Sequence, residues 1–478
     1  MTADEVLAPP HPLDDPVDID SSVVRFVIDT TFDDLPEHVV LVAKSALIDT
    51  VAAVFAGLSS ELIDPLLGYL TSIDATGNRP IIGTAIRTGP DKAALVNATL
   101  GHALDLDDTV SAMPGHPSSV VLAALFACPE VEQASGSDLL TAYVVGFEVA
   151  TKVGMALGGL HYRRGWHTTG TAGIFGATAA VGKLLRLGPD AMHSAFGIAS
   201  SMAAGLRANF GTMAKPMHSG WAASAGLTAA LLAASGFTGS TSALTGDGGF
   251  LNVYGDLDTQ PEVLLGLGSP FTFEQPGVAL KRYPCCYAVH RAIHAIGQLR
   301  GDHVLDAATV TRISAVVPPH SLDPLPYARP KTGLEGKFSM QYVLAVGLLD
   351  GDYGLRAFSD DAVTRQAITE LIELTDVRED PAMSPDDPEG NGASAGTRGA
   401  VEVRVQFTDG TIASCRVVHP PGSPASPLDR ADLRAKLLSC ADHGGFPTER
   451  AEAVLHVLEH LDEQASTAHL LSLLAGEA

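Results

Sequence analysis

The chain has 478 residues, 46% of them hydrophobic, with 30 basic against 55 acidic side chains and a formal charge of −25. That balance excludes nucleic acid and anionic membrane surfaces as partners, because phosphate binding draws on clustered Lys and Arg. Five cysteines (Cys128, Cys285, Cys286, Cys415, Cys440) with no CxxC pair exclude a disulfide framework and fit a reducing compartment.

Residues 1–20 read as a disordered segment, and MTADEVLAPPHPLDDP is acidic and Pro-rich where a signal peptide would be basic and then apolar. The longest apolar stretches, such as 222–234, read as too short and too rich in Gly, Ser and Thr to span a bilayer. A soluble, cytoplasmic protein is therefore expected. Helical signals dominate from 22 to 238. Leu35-Pro36-Glu37 sets Pro at a first helical turn and leads into 39–55, with Val40, Ala43, Ala46, Leu47 and Val51 on one face. Helical patterns follow through Ala93–Leu104, then at 120–128, 138–154, 170–186, 189–205 and 220–235. Small residues such as Gly173, Gly176 and Ala180 let neighbouring helices approach closely.

The texture changes near Phe271. The run 310–317 is rich in β-branched residues and predicts a strand, and 401–407 with 411–418, joined at Asp409-Gly410, predicts a hairpin. The stretch 381–399 is a polar loop, and helices return at 428–441 and 448–465. The expected fold class is mainly α. An all-helical domain over 21–270 resumes at 425–478, with a smaller α+β domain inserted at 271–424.

Five segments could carry chemistry. In GHALDLDDTVSAMPGHPSS (101–119) an apolar helix runs into Asp105, Asp107 and Asp108, although a helix C-terminus repels anions. A Pro/Gly-broken loop then delivers His116. Thr109 lies between, and both a site and an acidic surface turn with an incidental histidine fit this stretch alone. Asp107 and Asp108 acquire no role beyond shaping the turn. In GWHTTGTAG (165–173) His167 precedes a Gly-punctuated helix start able to receive an anion, and its glycines do not form a dinucleotide motif. In GTMAKPMHSG (211–220) Lys215 is held in a turn by Pro216, and in LKRYPCCYAVH (280–290) Lys281 precedes another Pro turn; a buried lysine is costly unless it meets a charge. His290 and His294 are spaced for a metal but have no third ligand in reach, so no metal is expected. Tyr342 opens an apolar helix, where a core tyrosine with a satisfied hydroxyl is the default reading. No GxSxG elbow or P-loop occurs. Lysines are scarce, nine in all, and two of them with two histidines in one cleft would suit a carboxylate-bearing substrate and proton transfer without a cofactor.

With these residues in view, the chain resembles the MmgE/PrpD family, which includes 2-methylcitrate dehydratase, cis-aconitate decarboxylase and iminodisuccinate epimerase. The resemblance rests on HALDLDDT (102–109), HPSS (116–119), GWHTTGTAG (165–173), AKPMHSGWAA (214–223), GFTG (236–239), KRYPCC (281–286) and FSMQY (338–342), and it covers nearly the whole chain. It implies a large helical domain with an α+β lid, a homodimer, and no metal or organic cofactor. By resemblance to the decarboxylases, the pocket residues fall on Asp105, Thr109, His116, His167, Lys215, Lys281 and Tyr342. The loop from Thr109 to His116 is one residue longer than in those decarboxylases. The dehydratases resemble HPSDN where this chain has HPSSV, and they differ again at 166–170, which moves the match toward the decarboxylase and epimerase branches.

The expectation is a cofactor-independent lyase acting on a short di- or tricarboxylate by decarboxylation or dehydration, cis-aconitate decarboxylase-like. His116 and His167 would move protons, Tyr342 and Asp105 would orient them, and Thr109, Lys215 and Lys281 would hold carboxylates. Lid segments near 320–330 and 381–399 would gauge substrate length. The alternatives are a 2-methylcitrate dehydratase-like hydro-lyase, an epimerase of an iminodisuccinate-like acid, and a non-catalytic relative that kept the fold.

Overall fold

Pro36 stands just before Glu37 and fixes the entry to the Glu37–Gly57 helix, which buries nearly its whole circumference. The computed structural model describes residues 18–302, 306–384 and 398–476. Pro90–His102, Pro117–Ala127 and Gly136–Arg163 pack against this central helix, Gly173–Leu184 and Ala214–Ala234 pack against those in turn, and Arg430–His443 returns from the C-terminal part to lie against it. Glycines set the spacing. A Cβ on Gly146 would sit 2.6 Å from the carbonyl of Gly176, and one on Gly176 would meet Gly146 at the same distance. The chain is mainly α, as its periodicity predicts.

Several helices differ in extent from the sequence reading. The 138–154 pattern lengthens to Gly136–Arg163, across a break at Gly158 where φ is +75°. The 220–235 pattern starts earlier, at Ala214, because Pro216 sits in the first turn, where its missing N–H has no partner to lose. The 189–205 helix ends at Ser200 and the 448–465 helix at Glu459. Among the described residues two helices, Glu37–Gly57 and Gly136–Arg163, are long and apolar enough to cross a membrane, which corrects the expectation drawn from 222–234. Their most apolar windows are 78% and 94% buried inside the protein.

A second core forms around a sheet. A two-residue ladder, β1 (Arg79–Pro80) with β2 (Arg87–Thr88), stands apart from it in the helical part. The larger sheet comprises β3 (Val310–Val317), β4 (Thr375–Glu379), β5 (Val401–Phe407) and β6 (Ile412–Val417) in the order β4-β3-β5-β6. β5 and β6 form the predicted hairpin, with Val405 opposite Ala413 and Val401 opposite Val417. Val401, Val403 and Val405 are buried, facing the helices His290–Asp302 and Met340–Leu349. Gly410 takes φ +84° in the turn. β4 was not expected: its TDVRE sequence has no apolar alternation, and it is placed by parallel pairing with β3. Of the predicted 381–399 loop, 385–397 lies outside the described residues, as does 1–17.

Candidate active site

The Pro90–His102 helix stops just before the acidic loop, and Asp105 adopts φ +54°, a conformation that Asp tolerates better than most residues. Thr109 and Ala279 exchange backbone hydrogen bonds of 2.9 Å, an isolated antiparallel bridge that brings the segment carrying Lys281 alongside the loop. Four of the nine lysines then converge on 104–107. Lys215 and Lys281 ion-pair with the Asp105 carboxylate, Lys281 at 2.9 Å. Lys337 donates to the carbonyls of Leu104 (3.1 Å) and Pro284 (2.9 Å), and Lys436 to those of Leu106 (2.9 Å) and Lys281 (2.7 Å). Burial alone would raise the Asp105 carboxyl, but Lys215 and Lys281 outweigh it and hold it well below the ordinary range. Burial pushes Lys337 down to about 8, since its partners are neutral carbonyls.

Three histidines stand beside this cluster. His102 Nδ1 lies 2.9 Å from both oxygens of Asp107, and its Nε2 lies 3.0 Å from Lys215 Nζ. His116 Nδ1 lies 2.7 Å from the carbonyl of Asp108, and the Thr169 hydroxyl receives its backbone N–H at 3.0 Å. A carbonyl only accepts, so His116 carries its proton on Nδ1 and keeps a lone pair on Nε2. His167 shares one proton with His218 across an Nδ1–Nδ1 distance of 3.0 Å, so its Nε2 can present either a proton or a lone pair. Burial, then the charge of Lys281 for His116 and of Lys215 for His167, pushes both rings well below the usual histidine range.

Asp105, Thr109, His116, His167 and Lys215 line one cavity, together with Tyr162, Cys286, Phe210 and Phe338. Five of the seven expected residues therefore meet. Lys281 is fully buried and grips Asp105, so it stands behind the cavity wall and not in contact with its contents. Tyr342 departs further. Its hydroxyl donates to the carbonyl of Ala357 and its ring packs edge-on against Phe358, in the core beneath the sheet. The Thr109 hydroxyl donates to Gly115 O at 3.2 Å, closing the loop that carries His116. From the 320–330 segment Pro324 reaches the cavity, and Arg207 clips that segment to the helical part by donating to the carbonyls of Asp323 and Tyr162.

Three ring nitrogens, of His102, His116 and His167, lie within 4.8 Å of one another, a spacing metal ligation also uses. His102 nevertheless has both nitrogens engaged, one on Asp107 and one on Lys215, which leaves it no lone pair for an ion. His290 Nε2 contacts the carbonyl of Cys285 at 3.2 Å. Sequence reasoning missed His102, Asp107, Lys337 and Lys436. The scarcity of lysine was a usable signal for the last two, and the five-residue interval from His102 to Asp107 across a helix end was a signal for the first pair. Asp108 proves to cap the Pro117–Ala127 helix through Ser118, whose hydroxyl also meets Tyr143.

Two family profiles match this chain, the MmgE/PrpD N-terminal domain over residues 21–262 and the MmgE/PrpD C-terminal domain over 283–463. Among named relatives, a cis-aconitate decarboxylase of Aspergillus terreus is 33% identical over 429 residues, covering 84% of this chain and 85% of the relative. The cis-aconitate decarboxylase-like protein oryM of Aspergillus oryzae is 30% identical over 96% of this chain and 98% of its own. The human cis-aconitate decarboxylase is 28% identical over 92% and 91%.

Proposed function

The chain belongs to the MmgE/PrpD family, and from that premise we propose that it is a lyase that decarboxylates a short tricarboxylate of the cis-aconitate type. The observation that carries the reading is the single cavity where Lys215, Thr109, His116 and His167 meet over a buried Asp105. Lys215 supplies the cationic contact for a substrate carboxylate, and Lys281 raises the local positive potential from behind Asp105. When the bond to the departing carboxylate breaks, CO2 leaves and the electron pair stays on the carbon skeleton. One proton then joins that carbon, from the Nε2 of His167 when His218 holds its Nδ1 as acceptor. The His116 lone pair takes up from solvent the proton that replaces the one spent, so each turnover consumes one proton and releases one CO2. No oxidant or reductant enters this balance, so ring nitrogens and ammonium groups suffice without a cofactor. Phe338, Cys286 and Pro324 reach the cavity from the α+β part, which serves as a lid.

The names carried by relatives at 28–33% identity favour decarboxylation over the dehydratase and epimerase alternatives. The test is incubation with cis-aconitate, methylcitrate, citrate and iminodisuccinate, followed by NMR and CO2 capture. CO2 released from cis-aconitate, with one proton incorporated per turnover, is the expected result. Dehydration or α-proton exchange without CO2 would overturn it.

A further inference from the structure

The cavity is assembled around a residue that never reaches it. His102 is fully buried, absent from the cavity wall, and part of no step described above. Its Nδ1 faces an Asp107 carboxylate at 2.9 Å, and a carboxylate only accepts, so Nδ1 holds the ring proton. Nε2 is then an acceptor, 3.0 Å from Lys215 Nζ. Lys215 has three N–H groups. One goes to Asp105 and one to His102, while the rings of Phe210 and Phe338 flank Nζ at 5.3 and 5.0 Å. These contacts fix the torsion of the ammonium and leave one N–H for the cavity that Lys215 lines.

We propose that His102 is a positioning residue: held by Asp107 as an obligate acceptor, it orients the Lys215 ammonium so that a single N–H points at the bound carboxylate. A neutral acceptor suits this task better than a second carboxylate would. An aspartate there would neutralise Lys215 and weaken its hold on an anion, whereas imidazole aims the group and leaves its charge available. The role rests on Lys215 meeting a substrate carboxylate, as proposed above.

Two variants separate aiming from packing. The side-chain amide of His102→Asn places an N–H near the former Nδ1 and keeps Asp107 satisfied, but offers Lys215 nothing. The longer His102→Gln places its amide oxygen near the former Nε2 and restores the acceptor. The expected result is a loss of ~10²-fold in kcat/KM for His102→Asn, the scale of a misplaced positioning contact, with His102→Gln recovering at least tenfold of it. Equal losses in both variants, with both folded by circular dichroism, would overturn the proposal. Ring 15N shifts of the histidine-labelled wild-type protein give a reading independent of any substrate. Nδ1–H with a bare Nε2 on His102 is expected, and a protonated Nε2 would overturn the assignment even if neither variant folds. A wild-type protein that turns over none of the acids but shows the expected shifts would instead sink the decarboxylase reading alone.

Discussion

Lys281 Nζ lies 2.9 Å from the side-chain Oδ2 of Asp105 and 2.9 Å from the backbone carbonyl of the same residue. One buried ammonium thus holds both the charge and the left-handed backbone of Asp105. Burial opposes the charge on Lys281, yet Asp105 and then Asp107 more than compensate and raise its pKa above the ordinary lysine value. The loop that ends the Pro90–His102 helix is therefore an electrostatic keystone before it is anything catalytic. Its carboxylates sit where a helix dipole disfavours them because buried cations are waiting there.

Replacing Asp105 tests that dependence. Asp105→Asn keeps the shape and leaves Lys215 and Lys281 as buried cations without their counter-ion. Breaking a buried pair by removing one partner costs about 3–5 kcal/mol, and two ammoniums share this one. Urea unfolding should show a loss in that range, with turnover abolished. An unchanged midpoint would mean that solvent reaches the lysines.

Tyr342 gives the opposite expectation. Because its hydroxyl is spent on Ala357 O beneath the sheet, Tyr342→Phe should leave kcat and KM within a few-fold of wild type. Its cost should be one buried hydrogen bond, about 1 kcal/mol. Steady-state kinetics beside a thermal melt checks both halves. A large loss of kcat with unchanged stability would return Tyr342 to the site.

The helices and the 401–417 hairpin were legible in the sequence because periodicity and the Asp409-Gly410 turn are local signals. Asp105, His116, His167 and Lys215 were legible because each lies within a few residues of a helix start or stop, where a polar residue conflicts with its surroundings, and Thr109 because it sits in the loop between two of them. Lys281 and Tyr342 show the limit. A motif marks that a residue belongs near the site, but whether it faces the cavity or the wall behind it depends on tertiary contacts, here with Asp105 and Ala357. β4 escaped for a similar reason, since its pairing with β3 and not its own pattern makes it a strand. His102 escaped because its meaning comes from two partners, one of them 113 residues away.

The buried imidazoles set a pH dependence. Burial lowers His102, His116, His161, His167, His218 and His290, with His161 at about 4 and His290 at about 3. Their folded values lie below the unfolded value near 6.5. As pH falls below 6.5 the unfolded chain therefore takes up protons that the folded chain refuses, and stability drops. Asp49, Asp108 and Glu148 are raised by burial and titrate in the other direction, but the histidines outnumber them. Urea midpoints at pH 7.5, 6 and 5 should fall steadily, by about 1.4 kcal/mol per pH unit for each proton of imbalance. Stability that rises on acidification would show that the rings are protonated in the fold.

His116 and His167 carry the largest expected effects on rate. A positioned acid or base contributes ~10²–10⁴-fold, so His116→Ala and His167→Ala should each lose turnover on that scale with native circular dichroism. Because both rings are held neutral, kcat/KM should stay flat from pH 7.5 down through 6.5, where an ordinary histidine would already be titrating. Wild-type rates in both variants would remove the histidines from the chemistry.

Gly220 links packing to the site. A Cβ there would lie 2.1 Å from Thr99 Oγ1 and 2.3 Å from the carbonyl of Leu95, both on the helix that ends in His102. Gly220 itself lies on the helix that begins with Lys215 in its first turn. Gly220→Ala must push the two helices apart, and overpacking of this kind costs about 1–3 kcal/mol. The same displacement lengthens the 3.0 Å contact between Lys215 and His102. Gly68, on an exposed helical face with nothing within 4 Å of its would-be Cβ, is the control. Gly68→Ala should be neutral or stabilising by up to about 1 kcal/mol. Thermal melts and kinetics on the two variants should diverge, with Gly220→Ala losing both stability and kcat/KM. If it keeps wild-type stability and rate, the close approach of these helices does not govern where Lys215 sits.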